Sequence, residues 1–198
     1  MVVIDVETSG LDPHKYSILS IGAVDFDNPK RLFYEECKVW DGALISKDAL
    51  RVNGFTEAET VDSKKQTLEK LMHSLKLWID ECAEITMIGQ NPSFDRDFLN
   101  NSFRRAGIDF KFAVRTVDLH SVAFFDHLKK EITIPHKNKH SDLSLDNIAK
   151  YAGLEEEPKP HNALNGAKFE AEAFSRIVYG KQLLPEFKKH KVPKYLII

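Results

Sequence analysis

Two carboxylates separated by one residue, Asp5 and Glu7, lie in a short β-branched run near the start of the chain. Because alternate residues of a strand point to the same side of a sheet, both carboxylates would share one face. The other residues of this run are Val and Ile, where an unpaired carboxylate is costly, and a hard divalent cation such as Mg²⁺ or Mn²⁺ would remove that cost. A strand end that emerges into solvent would explain the same pair, so both interpretations stay open at this point.

Two further segments add polar groups of the same kind. The turn from Thr8 to Gly10 offers hydroxyls and backbone N–H groups beside the carboxylates, and Gly10 permits the close approach of a ligand. In the middle of the chain, the run from Asn91 to Asp95 follows a predicted strand and opens a predicted helix. Asp95 would then lie at the carboxyl end of a strand, a common place for functional groups, although simple helix capping is the alternative.

The elements that must position these residues follow from hydrophobic periodicity and turn signals. We predict strands over Val2 to Val6, Ile18 to Phe26, Leu32 to Val39, Ile85 to Ile88 and Ala113 to Leu119. We predict helices over Gln66 to Ile79 with a capping box at Ser63 and Gln66, Phe94 to Ala106, Leu145 to Ala152 and Ala163 to Tyr179. Three strands followed by alternating strands and helices indicate an α/β protein with a mixed sheet flanked by helices.

Composition limits the class of protein. With 198 residues, 42% hydrophobic and 29% charged, the chain fits one compact domain and not a disordered one. Its net charge of -2 argues against a protein that coats duplexes without sequence preference. We predict a domain over residues 1–180 and a Lys-rich, peripheral tail over 181–198. The early charge at Asp5, the absence of long apolar runs and two cysteines without metal spacing predict a soluble, cytoplasmic protein that does not enter membranes.

The motifs together resemble the DEDDh family of 3′–5′ exonucleases, which includes polymerase proofreading subunits and oligoribonuclease-like enzymes. The run from Asp5 to Leu11 (DVETSGL) resembles its first motif, and Asn91 to Asp95 with Phe98-Leu99 resembles its second. His161-Asn162-Ala163-Leu164 resembles the opening of its third. The resemblance extends from Val2 to about Tyr179, and the order and spacing of the motifs make it more specific than any single one.

The resemblance implies a ribonuclease-H-like fold and metal-dependent removal of nucleotides from the 3′ ends of single-stranded DNA or RNA. It implies that Asp5, Glu7 and Asp95 hold two divalent cations, Mg²⁺ or Mn²⁺, and that His161 is the general base. The residues that would bind substrate are Thr8, Ser9, Gly10, Leu11, Asn91 and Phe94. The remaining histidines are interpreted as surface groups and not metal ligands: His14, His73, His120, His127, His136, His140 and His190.

One position departs from the family. The family carries an Asp five residues after the third-motif His, and this chain carries Gly166 there. Three explanations stay open: a catalytically inactive module that binds nucleic acid or acts as a scaffold, Asn165 as a weaker neutral ligand, or a nearby acid as a substitute. The retained His161 favours an enzyme, because a pure binder has no evident use for a general base.

Helix geometry favours Glu170 as the substitute, and therefore as a fourth metal ligand and catalytic carboxylate. Gly166 and Glu170 are one turn apart, about 40° around the helix axis, on an otherwise apolar face. Side chains lean toward the N-terminus of a helix, so Glu170 would reach back into the space that Gly166 leaves. Asn165 and Glu172 would project to the opposite side. The alternative for Glu170 is an ion pair with a lysine or arginine at the rim of the core.

The sequence says less about the substrate. The linker from His127 to His140 carries four lysines against one acid, and the tail carries five more lysines. Either group would suit the phosphates of a bound strand, although a solvated loop explains the linker equally well. Nothing in the sequence distinguishes DNA from RNA, because the residues that would contact a 2′-hydroxyl cannot be located.

Overall fold

The computed structural model describes residues 1–197 and contains one mixed five-stranded sheet with helices on both faces. The strands of the sheet are β1 (Val2–Thr8), β2 (Ile18–Asp25), β3 (Leu32–Glu36), β4 (Met87–Gly89) and β5 (Val117–Asp118). Their order is β3-β2-β1-β4-β5, with antiparallel pairing among the first three strands and parallel pairing of β4 with both β1 and β5. The predicted α/β class with a mixed sheet flanked by helices is therefore confirmed.

The helices and a small hairpin complete the chain. The helices are α1 (Lys47–Asn53), α2 (Glu57–Thr60), α3 (Leu68–Asp80), α4 (Pro92–Arg105), α5 (Leu119–Lys129), α6 (Leu145–Tyr151) and α7 (Ala163–Tyr179). The hairpin strands are β6 (His136–Lys137) and β7 (His140–Ser141), and two 3₁₀ turns follow at Pro185–Lys189 and Lys194–Leu196. None of the helices in residues 1–197 is both long and apolar enough to cross a membrane.

The central strand β1 divides the core into two layers. Val2, Ile4 and Val6 pack into the layer that contains α3 and α4, whereas Val3 packs into the layer that contains α5, α6 and α7. Because side chains alternate along a strand, the odd-numbered Asp5 and Glu7 point to the same side as Val3. Both carboxylates therefore face the layer of α7, where the third motif lies.

The long helix α7 is the element that the sequence predicted best. It begins and ends at the predicted residues. At its start, the Asn162 side chain accepts hydrogen bonds from the N–H groups of Leu164 and Asn165. At its end, Gly180 closes the helix in the left-handed conformation at φ 63°. Its first turn lies directly on β2, where a Cβ at Gly22 would lie 2.2 Å from the Ala163 backbone.

The structure corrects several local predictions. The helix predicted from Gln66 begins at Leu68 and is capped by Thr67, so the predicted Ser63 and Gln66 capping box is wrong. The Gln66 side chain instead donates to Glu35 and to the backbone of Glu36. The capping box lies earlier, at Thr56 and Glu59 in α2, a helix that the sequence analysis missed.

The region after α4 also differs from the prediction. The strand expected over Ala113 to Leu119 is only two residues long, Val117–Asp118. A helix that was not predicted, α5, begins directly after it because the Asp118 side chain accepts from the N–H of His120. This early change from strand to helix places Asp118 at the carboxyl end of the sheet.

The segment after Gly180 is anchored to the domain. Its lysines are exposed, as expected of a peripheral tail, but Leu184, Phe187 and Leu196 are buried in the core layer of α7. The segment therefore covers one side of α7 instead of extending into solvent. The last residue of the predicted tail, Ile198, lies outside the described residues.

Candidate active site

Four carboxylates from three elements meet at the carboxyl end of β1. Asp5 and Glu7 extend from the strand itself, and Asp95 extends from the first turn of α4 with only 5% of its surface exposed. The N–H of Val6 donates to Asp95 Oδ1 at 3.0 Å, which holds α4 against the strand between the two β1 carboxylates. Glu170 reaches the same place from α7 and is 4% exposed.

Gly166 explains how α7 approaches β1 so closely. A Cβ at Gly166 would lie 2.1 Å from Asp5 Oδ2, so the Asp5 carboxylate occupies the space in which a side chain at that position would begin. The replacement of an acid by glycine therefore does not leave an empty gap. The Asp5 carboxylate fills that volume, so any residue larger than glycine at position 166 would force the Asp5 side chain to move.

Glu170 is a buried carboxylate whose hydrogen bonds are incomplete. Its Oε1 accepts from the N–H of Gln90 at 3.0 Å, while Oε2 has no hydrogen-bond partner among residues 1–197. In the described part of the chain, the ion pairs of α7 run from Lys168 to Glu186 and from Arg176 to Glu172, and neither reaches Glu170. The alternative interpretation of Glu170 as half of an ion pair thus finds no cationic partner in residues 1–197.

The four carboxylates repel one another. Burial and then the charge of Asp95 raise the pKa of Asp5 well above its ordinary value, and the same two causes raise the pKa of Glu170. Burial raises the pKa of Asp95 to about 8, against the opposing effect of the Val6 N–H. The pKa of Glu7 rises to about 7, first through burial and then through the charge of Glu157. The fully ionised form of the cluster is therefore unfavourable, and these carboxyls hold their protons more tightly than exposed ones do.

The chemistry of this cluster fits hard divalent cations. Within residues 1–197, no three His, Cys, Asp or Glu side chains already form a complete set of metal ligands. The donors are nevertheless all carboxylate oxygens, which Mg²⁺ and Mn²⁺ prefer, and Glu170 Oε2 is buried without a partner. A cation between β1, α4 and α7 would offset both the mutual repulsion and the missing contact.

The loop before α7 places His161 beside Glu157, the acid whose charge helps to raise the pKa of Glu7. The backbone N–H of His161 donates to the carbonyl of Val52 at the end of α1, with a length of 3.3 Å. The ring Nδ1 of His161 lies 3.2 Å from Oε2 of Glu157, a residue that is 5% exposed. Sequence reasoning missed Glu157 because it is the last of three consecutive glutamates, and only the folded loop shows which of them is buried.

The turn after β1 is built differently from the sequence expectation. The Thr8 hydroxyl donates to the Gly10 carbonyl at 2.7 Å and the Ser9 hydroxyl donates to the Leu44 carbonyl at 2.8 Å, so both hydroxyls shape the turn. A Cβ at Gly10 would lie 2.2 Å from the Tyr16 ring, which makes Tyr16 the group that approaches this glycine. Leu11 next to it is 80% exposed, an unusually open position for an apolar side chain beside a polar cluster.

The start of α4 holds the remaining residues predicted to bind substrate. Asn91 is in the left-handed conformation at φ 55°, and its N–H donates to Asp118 Oδ1 at 3.2 Å. Phe94 is partly buried and packs on Phe98 with a centroid separation of 4.9 Å. Asp118 is a further acid near Glu170, and the charge of Asp118 helps to raise the pKa of Glu170. The sequence analysis assigned Asp118 no role in the site.

Other candidate groups lie away from the cluster. Asn165 lies beside Lys168, Glu155 and Glu186 in a cleft on the tail side of α7, and its N–H is bonded to the Asn162 side chain. His127, expected at the surface, is instead buried, and its Nδ1 lies 2.8 Å from the carbonyl of Ala123.

The lysines of the linker do not behave alike. Lys137 is exposed in β6, and Lys139 is exposed in the turn between β6 and β7. Lys130 is instead paired with Asp126 on the same helix. The hairpin thus presents basic side chains to solvent, whereas the end of α5 uses part of its charge internally.

Comparison with known proteins places this geometry in a family. The family model RNase_T, described as exonuclease, matches residues 2–174. A 3′-5′ DNA exonuclease from Escherichia coli, Cap18, is 32% identical over 181 residues, which cover 89% of this chain and 90% of that protein. Ribonuclease T of Vibrio vulnificus (strain CMCP6) is 27% identical over 192 residues, covering 89% of this chain and 83% of that protein.

Solved structures of low sequence identity share the fold. E. coli exonuclease I in complex with a dT13 oligonucleotide has a TM-score of 0.71 at 18% identity, covering 88% of this chain and 40% of the exonuclease I chain. The nuclease domain of 3′hExo, a DEDDh family member bound to rAMP, has a TM-score of 0.68 at 15% identity, covering 92% and 93% of the two chains. At these identities the likeness shows the fold alone.

Proposed function

The chain belongs to the RNase_T family of exonucleases, and we propose that it removes nucleotides one at a time from the 3′ ends of single-stranded nucleic acid by metal-dependent phosphodiester hydrolysis. The observation that carries this proposal is the cluster of Asp5, Glu7, Asp95 and Glu170. These carboxylates come together from β1, α4 and α7, and no cationic side chain among residues 1–197 is within ion-pair distance of Glu170. Burial of carboxylates without a cationic partner is costly, and a bound cation would remove that cost.

The four carboxylates would hold two divalent cations, Mg²⁺ or Mn²⁺. Such ions, when bound, supply positive charge to the scissile phosphate and lower the pKa of an attacking water. Glu170 would serve in place of the Asp that the family carries at position 166. Its partnerless Oε2, its burial and its approach to Asp95 support this assignment.

The chain's own residues would act around this centre. His161, which is partly exposed and lies beside Glu157, would accept the proton of the attacking water as general base. Leu11 would pack against the base of the terminal nucleotide, since its exposed side chain is the last of the first motif. The turn from Thr8 to Gly10, Asn91 and Phe94 would shape the pocket and would orient the strand through backbone groups.

The test is a cleavage assay on 5′-labelled single-stranded DNA and RNA with Mg²⁺, Mn²⁺ or EDTA. We expect stepwise shortening from the 3′ end, abolished by EDTA. Asp95→Asn should lower the rate by on the order of 100-fold or more. Asp97→Asn is the matched control, because Asp97 lies on the same helix but its side chain is 53% exposed, and it should leave the rate nearly unchanged.

The comparison of the two polymers identifies the substrate. One relative is named a DNA exonuclease and another a ribonuclease, so the preferred polymer is measured directly by the ratio of the two cleavage rates. Absence of shortening with either metal, together with binding of the same strands, would overturn the proposal. That outcome would favour the catalytically inactive nucleic-acid-binding or scaffold module that Gly166 leaves open.

A further inference from the structure

Glu157 differs from the two acids beside it. Glu155 and Glu156 are exposed and pair with Lys189 and Lys150 at the surface. The Glu157 side chain is only 3% exposed and points inward, toward the ring of His161. Of these three adjacent glutamates, only Glu157 is therefore buried away from water.

The backbone of this loop is already held by other contacts. The N–H of His161 donates to Val52, and a Cβ at Gly54 would lie 2.7 Å from Pro160, so the loop packs closely on the end of α1. These contacts place the Cα of His161 but leave the rotation of its ring free. Orientation of the ring requires a partner for one of its nitrogens.

Glu157 supplies that partner. Its Oε2 lies 3.2 Å from His161 Nδ1, while its Oε1 is buried without a hydrogen-bond partner. Burial of an incompletely bonded carboxylate is unfavourable for folding. A surface ion pair such as that of Glu156 would have avoided this cost. Burial raises the pKa of Glu157 and the backbone N–H of Asn162 partly opposes that effect, but Oε1 stays without a partner among residues 1–197. The position of Glu157 is therefore better explained by its effect on the histidine than by stability.

We propose that Glu157 is a positioning residue that accepts the Nδ1–H of His161 and thereby leaves Nε2 unprotonated as the atom that takes the proton of the attacking water. A carboxylate or carbonyl behind a functional imidazole selects the tautomer in this way. The role of Nε2 rests on the proposed function; the choice of tautomer does not.

The competing role for Glu157 is that of another metal ligand. Its charge is close enough to raise the pKa of Glu7, so proximity alone does not separate the two roles. They differ in their consequences. A positioning residue acts through His161 and affects nothing once His161 is removed, whereas a ligand acts on metal affinity whether or not the histidine is present.

The first experiment is ¹⁵N NMR of the His161 ring in EDTA, at a pH where the ring is neutral. We expect the Nδ1–H tautomer in the wild type and in Glu155→Gln, the matched control. Glu157→Gln should retain it in part through its amide oxygen, and Glu157→Ala should shift it to the Nε2–H form that free imidazole side chains favour. An Nε2–H ring in the wild type, or no change in Glu157→Ala, would overturn the proposal.

The second experiment is a double-mutant cycle on cleavage with saturating Mn²⁺. Glu157→Ala should lower kcat by about 10- to 100-fold with little change in KM, Glu157→Gln should lower it less, and Glu157→Ala should have no further effect in a His161→Ala background. A full additional loss in that background, or weaker Mn²⁺ binding by calorimetry, would assign Glu157 to the metal instead. If the wild type cleaves no strand, the proposed function fails, while the NMR result still decides the tautomer.

Discussion

The two buried glutamates of α7, Glu170 and Glu172, lie on opposite faces of one helix and are neutralised in opposite ways. Glu172 is fully buried, and its Oε1 accepts from Arg176 Nε at 2.6 Å. Its Oε2 accepts from the N–H groups of Leu183 and Leu184 at 2.9 and 2.8 Å. Within the described part of the chain, Glu170 has one N–H donor, one oxygen without a partner, and acidic neighbours.

The difference distinguishes Glu172, whose charge stabilises the fold, from Glu170, whose charge is available to a ligand. On the tail side, the protein brings its own cation: Arg176 pairs with Glu172 and donates to the carbonyls of Ala152, Phe187 and His190, which ties the C-terminal segment to α7. On the sheet side, residues 1–197 supply no such cation to Glu170. We infer that the sheet side depends on an ion from solution, and mutations on the two faces should therefore have different signatures.

The largest effect is expected from removal of the internal cation. Arg176→Met leaves Glu172 charged and buried without its cationic partner, and we expect it to lower the free energy of unfolding by about 3–5 kcal/mol. Urea denaturation in EDTA measures this loss. Asp80→Asn is the control, because the Lys76–Asp80 pair has the same i,i+4 spacing but is solvent-exposed, and its loss should be within about 0.5 kcal/mol. Equal effects of the two changes would contradict the comparison.

Glu170→Gln should show the opposite behaviour. In EDTA the variant should be as stable as the wild type or more stable, because the amide removes one charge from a cluster of acids. Mn²⁺ at 100 times its Kd should stabilise the wild type by about 2.7 kcal/mol for each ion bound and the variant by much less. Glu172→Gln, the control on the other face, should be destabilised with or without Mn²⁺ yet keep the full Mn²⁺ increment. A destabilised Glu170→Gln with an intact increment would reverse the assignment.

Gly166→Ala tests the space that Asp5 occupies. Since a Cβ at this position would lie 2.1 Å from Asp5 Oδ2, the carboxylate must rotate away. We expect about a tenfold loss of Mn²⁺ affinity, comparable to the loss of a group that orients a metal ligand, measured by calorimetry. Asn165→Ala should leave the affinity unchanged, because Asn165 lies on the tail side of α7. Weaker binding in Asn165→Ala would restore Asn165 as a candidate ligand.

The smallest effect is expected at Leu11, which contributes to neither face of α7. Its side chain is 80% exposed, so Leu11→Ala should leave stability unchanged. Loss of its contact with the terminal base should raise KM about fivefold, on the order of 1 kcal/mol, with kcat preserved. Steady-state kinetics on short single strands measures both constants. A fall in kcat at constant KM would show that Leu11 acts on the chemical step instead.

Much of the fold and part of the site could be predicted because the responsible signals are local. The i,i+2 spacing of Asp5 and Glu7 determines their common face, and Asn162 and Gly180 cap α7 at both ends. The one-turn spacing from Gly166 predicted that Glu170 lies on an inward face, and the structure confirms its burial. The expectation that Glu170 fills the space at Gly166 is wrong, because the Asp5 carboxylate occupies it.

The remaining features depend on contacts between distant segments. Glu172 was expected only to face away from Glu170, and its burial requires the tail to fold back over α7. Glu157 could not be selected from three consecutive glutamates without the path of the loop on α1. The helix α5 was missed because Asp118 ends a strand and caps a helix within one residue.

Direct measurement of Mn²⁺ binding by electron paramagnetic resonance tests the central claim, that the cluster of Asp5, Glu7, Asp95 and Glu170 is a divalent-cation centre. We predict two Mn²⁺ per chain, magnetically coupled at a separation of about 4 Å. The coupling should disappear in Asp5→Ala and Glu170→Gln and persist in Asp97→Asn. Absence of bound Mn²⁺ in the wild type, or unchanged coupling in Asp5→Ala, would contradict the account.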